Sequence, residues 1–149
     1  MQTQSINQYY TEDHERLDDL FHEFTNLKAS DRRAAEKSFG EFKAGLERHI
    51  VGEEEILFPA VEKKFGHLQG GPTVVMRLEH REIREYLDAI ARKLAEHNFD
   101  TDNEEAGLVP VLCVHNQKEE SILYPMMDRT FSEQERAAMF SEMNVPSTA

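Results

Sequence analysis

The chain has 149 residues, 39% hydrophobic and 31% charged, which suits a single soluble domain, 1–149, with ample core for a helical bundle. A formal net charge of −12 excludes nucleic acid and anionic membrane surfaces as partners, because both repel an acidic protein. A single cysteine, Cys113, excludes an intramolecular disulfide and a cysteine metal cluster, and no segment reaches the roughly 18 apolar residues of a membrane span.

Met1 to Tyr10 carries no basic residue and no apolar run, so no secretory leader is read there and a cytoplasmic location is expected. A first helix follows, with Tyr10, His14, Leu17, Phe21 and Phe24 on one stripe. Ser30 and Asp31 are the candidate caps of a second helix. Its stripe is Phe39, Phe42, Leu46, His49, Glu53, Ile56 and Ala60, and Pro59 is expected to bend or end it. Gly70-Gly71-Pro72 separates two halves, with Pro72 near the first turn of a third helix whose stripe is Met76, His80, Ile83, Leu87, Ile90 and Leu94. Thr101-x-x-Glu104 reads as the capping box of a fourth, and Pro110 suggests an irregular start or a kink. There the stripe is Leu108, Leu112, His115, Glu119, Ile122 and Met126, and Pro125 matches Pro59. A short C-terminal helix is expected from Ser132, with Glu135 completing its capping box. The expected fold is all-α: an antiparallel up-down four-helix bundle with a short extra helix.

The two halves repeat at an offset of 66 residues. His49 to Pro59 reads HIVGEEEILFP, and His115 to Pro125 reads HNQKEESILYP. His14 and His80 stand at the same offset, in Asp13-His14-Glu15-Arg16-Leu17 and Glu79-His80-Arg81-Glu82-Ile83. Of seven histidines, four fall on this lattice; His22, His67 and His97 do not, and read as surface or loop residues. Duplication kept for packing accounts for the shared Ile, Leu and Phe. It accounts poorly for His and Glu on core-facing stripes, where an unpartnered polar group is costly.

A His-x-x-x-Glu pair sets both side chains on one helical face about 5–6 Å apart at Cβ. Two such helices offer two bridging carboxylates, and the other two add a histidine each. The six candidate ligands are His14, His49, Glu53, His80, His115 and Glu119, a set that fits two metals roughly 3.5–4 Å apart in a bundle core. Imidazole and carboxylate without thiolate suit iron, manganese or zinc better than copper(I). A histidine on every helix, with glutamate on only two, leans towards iron that handles oxygen or nitric oxide rather than mineral storage.

With Asp13-His14, His49-x-x-x-Glu53, Glu79-His80 and His115-x-x-x-Glu119-Glu-Ser-Ile-Leu-Tyr-Pro125, the chain resembles the hemerythrin-like, HHE cation-binding family over nearly its whole length. The resemblance implies two non-haem, oxo- or hydroxo-bridged irons, with zinc or manganese as substitutes, and an open position for a small diatomic or peroxide. Oxygen-carrying hemerythrins resemble one another in a second histidine one turn on in the third helix; here that position is Arg84. Its repeat mate is Asp18, and the two are read as a charge pair beside the site, or with Arg84 steadying an anionic ligand on the metal, or as solvated flanking charges. Tyr10, one turn before His14, is read as core packing or as a phenolate ligand. Cys113, Met126 and Met127 read as packing residues, and Glu54 and Glu55 as solvated.

Three functions stay open. The centre binds oxygen or a related diatomic as carrier, scavenger or sensor. Alternatively it is a redox enzyme acting on peroxide or nitric oxide, or it supplies iron in damage repair. In the third reading it holds zinc or a single structural metal in an interaction module. Homodimerisation is left undecided.

Overall fold

The computed structural model describes residues 4–66 and 71–143. His67 and Gly70, which enter the sequence reading above, lie outside the described residues. The order of elements is α1 (Ile6–Leu27), α2 (Arg32–Gly52), a π turn (Glu53–Leu57), α3 (Phe58–Phe65), α4 (Pro72–Ala95), α5 (Asp102–Lys118), a second π turn (Glu119–Leu123), α6 (Tyr124–Thr130) and α7 (Glu133–Glu142). It is the expected all-α bundle: α1 packs along α2, α4 along α5, and α6 against α1. No described helix is long and apolar enough to cross a membrane.

Local chemistry explains the ends. Ser5 and Asp31 accept from the N–H groups of Gln8 and Ala34, capping α1 and α2. Pro72 opens α4 as expected. At α7 the capping box forms in full: Ser132 accepts from Glu135 N–H, and the Glu135 carboxylate accepts from Ser132 N–H. The box read at Thr101 and Glu104 does not form. Thr101 instead donates to Glu105, and Glu104 accepts from Lys93, because two lysines compete for these carboxylates. Asp128 accepts from the backbone N–H groups of Ile6 and Asn7 at 2.8 and 3.0 Å, which pins the start of α1 to α6.

Pro59 and Pro125 neither end nor sharply break their helices, and Pro110 lies inside α5. In an α-helix a proline ring clashes with the carbonyl four residues earlier. The chain answers with a wider turn, in which Phe58 N–H bonds to Glu53 O and Tyr124 N–H to Glu119 O, each five residues back. That turn shifts the buried face by one residue. Leu57, Phe58, Leu123 and Tyr124 go inside, while Ile56 is only half-buried and Ile122, expected in the core, is 61% exposed.

Two apolar clusters result. One gathers Ile6, Tyr10, Leu57, Phe58, Met127 and Phe140; the other gathers Leu17, Phe24, Phe42, Leu46, Ile83 and Leu108. Each fully buried Leu, Ile or Phe stabilises the fold by about 1.5–3 kcal/mol. Along α1, α2, α4 and α5 the histidines fall between the two clusters, so each helix carries one polar layer inside an otherwise apolar core.

Candidate metal centre

The helix period and the π turns set this layer. His49 and Glu53, like His115 and Glu119, sit one α-turn apart on the buried face of their helices. The wider turn then brings back Phe58 on one side and Tyr124 on the other. All six carrier residues read from the sequence are buried, and both glutamates are 0% exposed.

They converge in two groups. Glu53, His80, His115 and Glu119 each place one ligand atom within 4.8 Å of the others, and so do His14, His49 and Glu119. Glu119 belongs to both. Its Oε1 lies 3.2 Å from His14 Nε2 and 3.2 Å from His115 Nε2. Glu53 Oε1 lies 3.2 Å from His80 Nε2 and 3.6 Å from His49 Nε2.

Around this core stands a collar of four carboxylates that the sequence reading did not assign. Glu120 pairs with His14 Nδ1 at 2.7 Å, Asp13 with His49 Nδ1 at 2.8 Å, Glu54 with His80 Nδ1 at 2.8 Å and Glu79 with His115 Nδ1 at 2.9 Å. These partners obey the 66-residue offset themselves, Asp13 with Glu79 and Glu54 with Glu120, which was the signal available for finding them. A carboxylate at Nδ1 holds the proton there, so in each neutral imidazole Nε2 presents its lone pair inward.

Inward there is little to meet those lone pairs. Glu53 Oε1, His80 Nε2 and both Glu119 oxygens are buried without a hydrogen-bond partner. Acceptor faces acceptor at 3.2 Å, an arrangement that costs free energy unless cations lie between. Four imidazole nitrogens and two carboxylates therefore fit a pair of hard or borderline metal ions. That fit is set by the donors of this chain.

Without cations the two glutamates divide the charge unequally. Burial, then the Glu119 charge, pushes the Glu53 carboxyl well above its usual range. Burial also opposes ionisation of Glu119, but Glu53, His115 and His14, when they carry protons towards it, outweigh burial and hold Glu119 well below that range. Burial lowers His49, and it lowers His80 to about 4, helped by His115. His14 and His115 feel the same burial, yet their bonds to Glu119 and the collar raise them.

One hydroxyl enters the layer. Tyr124 OH donates to Glu53 Oε2 at 2.8 Å and lies 3.2 Å from His49 Nε2 and 3.4 Å from His14 Nε2. Burial, with Glu119 and Glu53 beside it, holds this phenol well above its ordinary pKa. The sequence reading passed Tyr124 over because a straight α-helix from Glu119 does not turn it inward. In the other half Phe58 occupies the mirrored place, its ring stacked on His80 at 5.8 Å.

Of the other residues read from the sequence, Tyr10 packs in the core and Asp18 is exposed, while Glu54 and Cys113 depart from their readings. Tyr10 is buried, with its ring 4.5 Å from that of His49, but its hydroxyl turns away to Met143 Sδ at 2.9 Å. Arg84 donates to Glu54 at 3.2 Å and so steadies the support of His80 rather than pairing with Asp18. Asp18 lines a cleft of about 530 Å³ between α1 and α5, with Phe21, Leu112 and Glu120. Glu54 is not free in solvent but holds His80, because the π turn directs it across to α4. Cys113 is exposed on the same cleft rather than packed. His22 and His97 are exposed, as expected.

The profile of the hemerythrin HHE cation-binding domain matches residues 5–127. Among curated proteins, the chain is similar to the iron-sulfur cluster repair protein YtfE of Edwardsiella ictaluri, 38% identical over 71 residues, which is 48% of this chain and 29% of that protein. YtfE of Salmonella schwarzengrund is 42% identical over 45 residues, 30% of this chain and 20% of that protein. A hemerythrin-like protein of Schizosaccharomyces pombe is 30% identical over 131 residues, 87% of this chain and 62% of that protein. The matches thus span under two thirds of each of these relatives. No solved structure matches at a significant level.

Proposed function

The chain belongs to the hemerythrin HHE cation-binding family, and from that premise we propose that its buried layer is a non-haem di-iron centre that binds a small diatomic. His80, His115 and Glu53 would hold one iron, His14 and His49 the other, with Glu119 shared between them. The carrying observation is the inward set of bare Nε2 atoms and orphaned carboxylate oxygens, each histidine clamped from behind by an outer carboxylate. Bound iron would supply a redox-active Lewis acid with room for oxygen, nitric oxide or peroxide. The residues do the rest. Two apolar clusters exclude water from the layer. The collar keeps each imidazole in one tautomer and orientation. Tyr124 holds a proton 2.8 Å from Glu53 Oε2 and can donate it to a ligand or take it back.

A second reading, redox turnover on peroxide or nitric oxide, is favoured by that same phenol. A proton donor within the coordination layer serves reduction of a ligand more than its reversible storage. The repair proteins named above make iron supply a third role within this reading. An exposed free thiol at Cys113 suits a reducing compartment, and we place the protein in the cytoplasm.

Metal analysis of the purified chain, with absorption spectra of its oxidised and reduced forms, tests the proposal. About two irons per chain are expected. Zinc alone, or a single metal that survives Glu119→Ala, would refute it. Reversal of any air-formed adduct under argon separates binding from turnover.

A further inference from the structure

Three of the chain's four tyrosines stand in a row between this layer and the surface. Tyr124 touches the layer through its hydroxyl. Its ring lies 5.2 Å from that of Tyr10, and the Tyr10 ring 5.2 Å from that of Tyr9. Tyr124 and Tyr10 are buried, whereas Tyr9 is half-exposed beside Phe140. Gly52 makes the close approach feasible, since a Cβ there would stand 2.7 Å from Tyr10 OH. The mirrored half is an internal control: at the same offset it carries Val75, Met76 and Phe58, none of them a phenol. Aromatic packing alone would accept phenylalanine at every step. Yet the chain, which has nine phenylalanines and no tryptophan, places tyrosine three times in succession on one side.

We propose that Tyr9, Tyr10 and Tyr124 form a one-electron path between the buried centre and the protein surface. This rests on the di-iron reading and assigns its redox traffic to one half. For each electron passed inward, Tyr9 gives up one electron and its phenol proton, the proton going to solvent. Tyr10 acts as a bridge, because its hydroxyl is engaged by the Met143 thioether, which is not a base. Tyr124, hydrogen-bonded to Glu53 Oε2, relays the electron into the layer and ends the passage with its own proton in place. The oxidant is a peroxide at the centre: two passages, with two protons from solvent, convert one hydrogen peroxide to two waters. A small thiol or ascorbate-class reductant in solution then returns an electron and a proton to Tyr9.

The test uses iron-loaded protein treated with hydrogen peroxide and a spin trap, with the adduct located by peptide mass spectrometry. The adduct should sit on Tyr9, not on the off-path Tyr86. Tyr9→Phe should lose it and leave a buried tyrosyl signal that ascorbate no longer quenches, and Val75→Tyr should gain none. Equal labelling of Tyr86, or unchanged quenching in Tyr9→Phe, would overturn the path. Failure to take up iron would sink the di-iron reading instead, and the path would still be judged in metal-free protein. There a photogenerated one-electron oxidant in solution should produce, besides signals from exposed tyrosines, a buried tyrosyl signal that ascorbate does not quench, which Tyr124→Phe removes and Tyr9→Phe prevents. A Tyr124 radical formed as readily without Tyr9 ends the proposal.

Discussion

The two hairpins bring the same ligand types to one layer but surround them differently. Around His80 and His115 the outer carboxylates are themselves backed by cations, Arg84 on Glu54 and Lys118 on Glu79, and Phe58 closes the inside. Around His14 and His49, Asp13 is backed by Arg16, while Glu120 borders the α1–α5 cleft and Tyr124 brings a phenol inside. A second cavity of about 380 Å³ reaches His49 and Asp13 from the side of α7. One half is built to hold. The other is built to be reached. Duplication supplied identical ligands, and the shells around them divided the labour.

The largest break in the symmetry concerns the shared carboxylate. Glu119→Ala should remove both metals, because both groups use it, whereas Glu53→Ala should leave about one of the two held by His14, His49 and Glu119. Metal content per chain reads this directly, and equal losses would mean the glutamates are interchangeable. Next comes acid sensitivity of the metal-free protein. His80 titrates at about 4 in the folded chain, below the ordinary 6.5, so the unfolded state binds more protons between those values. Its contribution is therefore lost as pH falls from about 6.5 towards 4, by on the order of 3 kcal/mol. His14 is raised, so its contribution is present below 6.5 and lost as pH rises through its folded value. Denaturation midpoints of His80→Gln and His14→Gln should thus move in opposite directions relative to wild type on acidification; parallel slopes would show the halves to be electrostatically alike.

Removing a collar group is a smaller perturbation. Glu54→Gln and Glu120→Gln should each weaken metal binding about 10–100-fold in a competition titration. The Glu54 change should cost more, since it also strands Arg84. Smallest of all is exchange of the inner aromatics. Tyr124→Phe gives up one hydrogen bond to Glu53, worth about 1 kcal/mol of stability in the metal-free chain by thermal unfolding. A much larger loss would mean the phenol organises the layer rather than serving it.

How much of this was legible beforehand depends on which rule each residue obeys. His14, His49, Glu53, His80, His115 and Glu119 obey helical spacing and the repeat, and the structure brings all six together. Asp13, Glu54, Glu79 and Glu120 obey the repeat too, but they lie off the buried stripes; Glu54 is read as a solvated charge and the other three are given no role of their own. Ile122 obeys both rules and Tyr124 lies off the stripe, yet the structure exposes the first and buries the second. A single wider turn after Glu119 rotates everything beyond it, and stripe counting at 3.6 residues per turn carries the wrong residue inward. The only sign of that turn was a proline six residues after each glutamate, Pro59 and Pro125, and a proline tells of disruption without saying which form it takes. The pairing of Asp18 with Arg84 fails for another reason: the opposite charge that Arg84 meets comes from the π turn of the other hairpin.

Glu120 of the second hairpin holds His14 of the first, and Glu54 of the first holds His80 of the second. Neither hairpin can support its own leading histidine, while two identical copies related by a half-turn would satisfy one another completely. The protein is in this sense a homodimer spelled out along one polypeptide. Within one polypeptide the two copies need not stay alike, and so a phenol at 124 can stand where the other copy has the phenyl of Phe58.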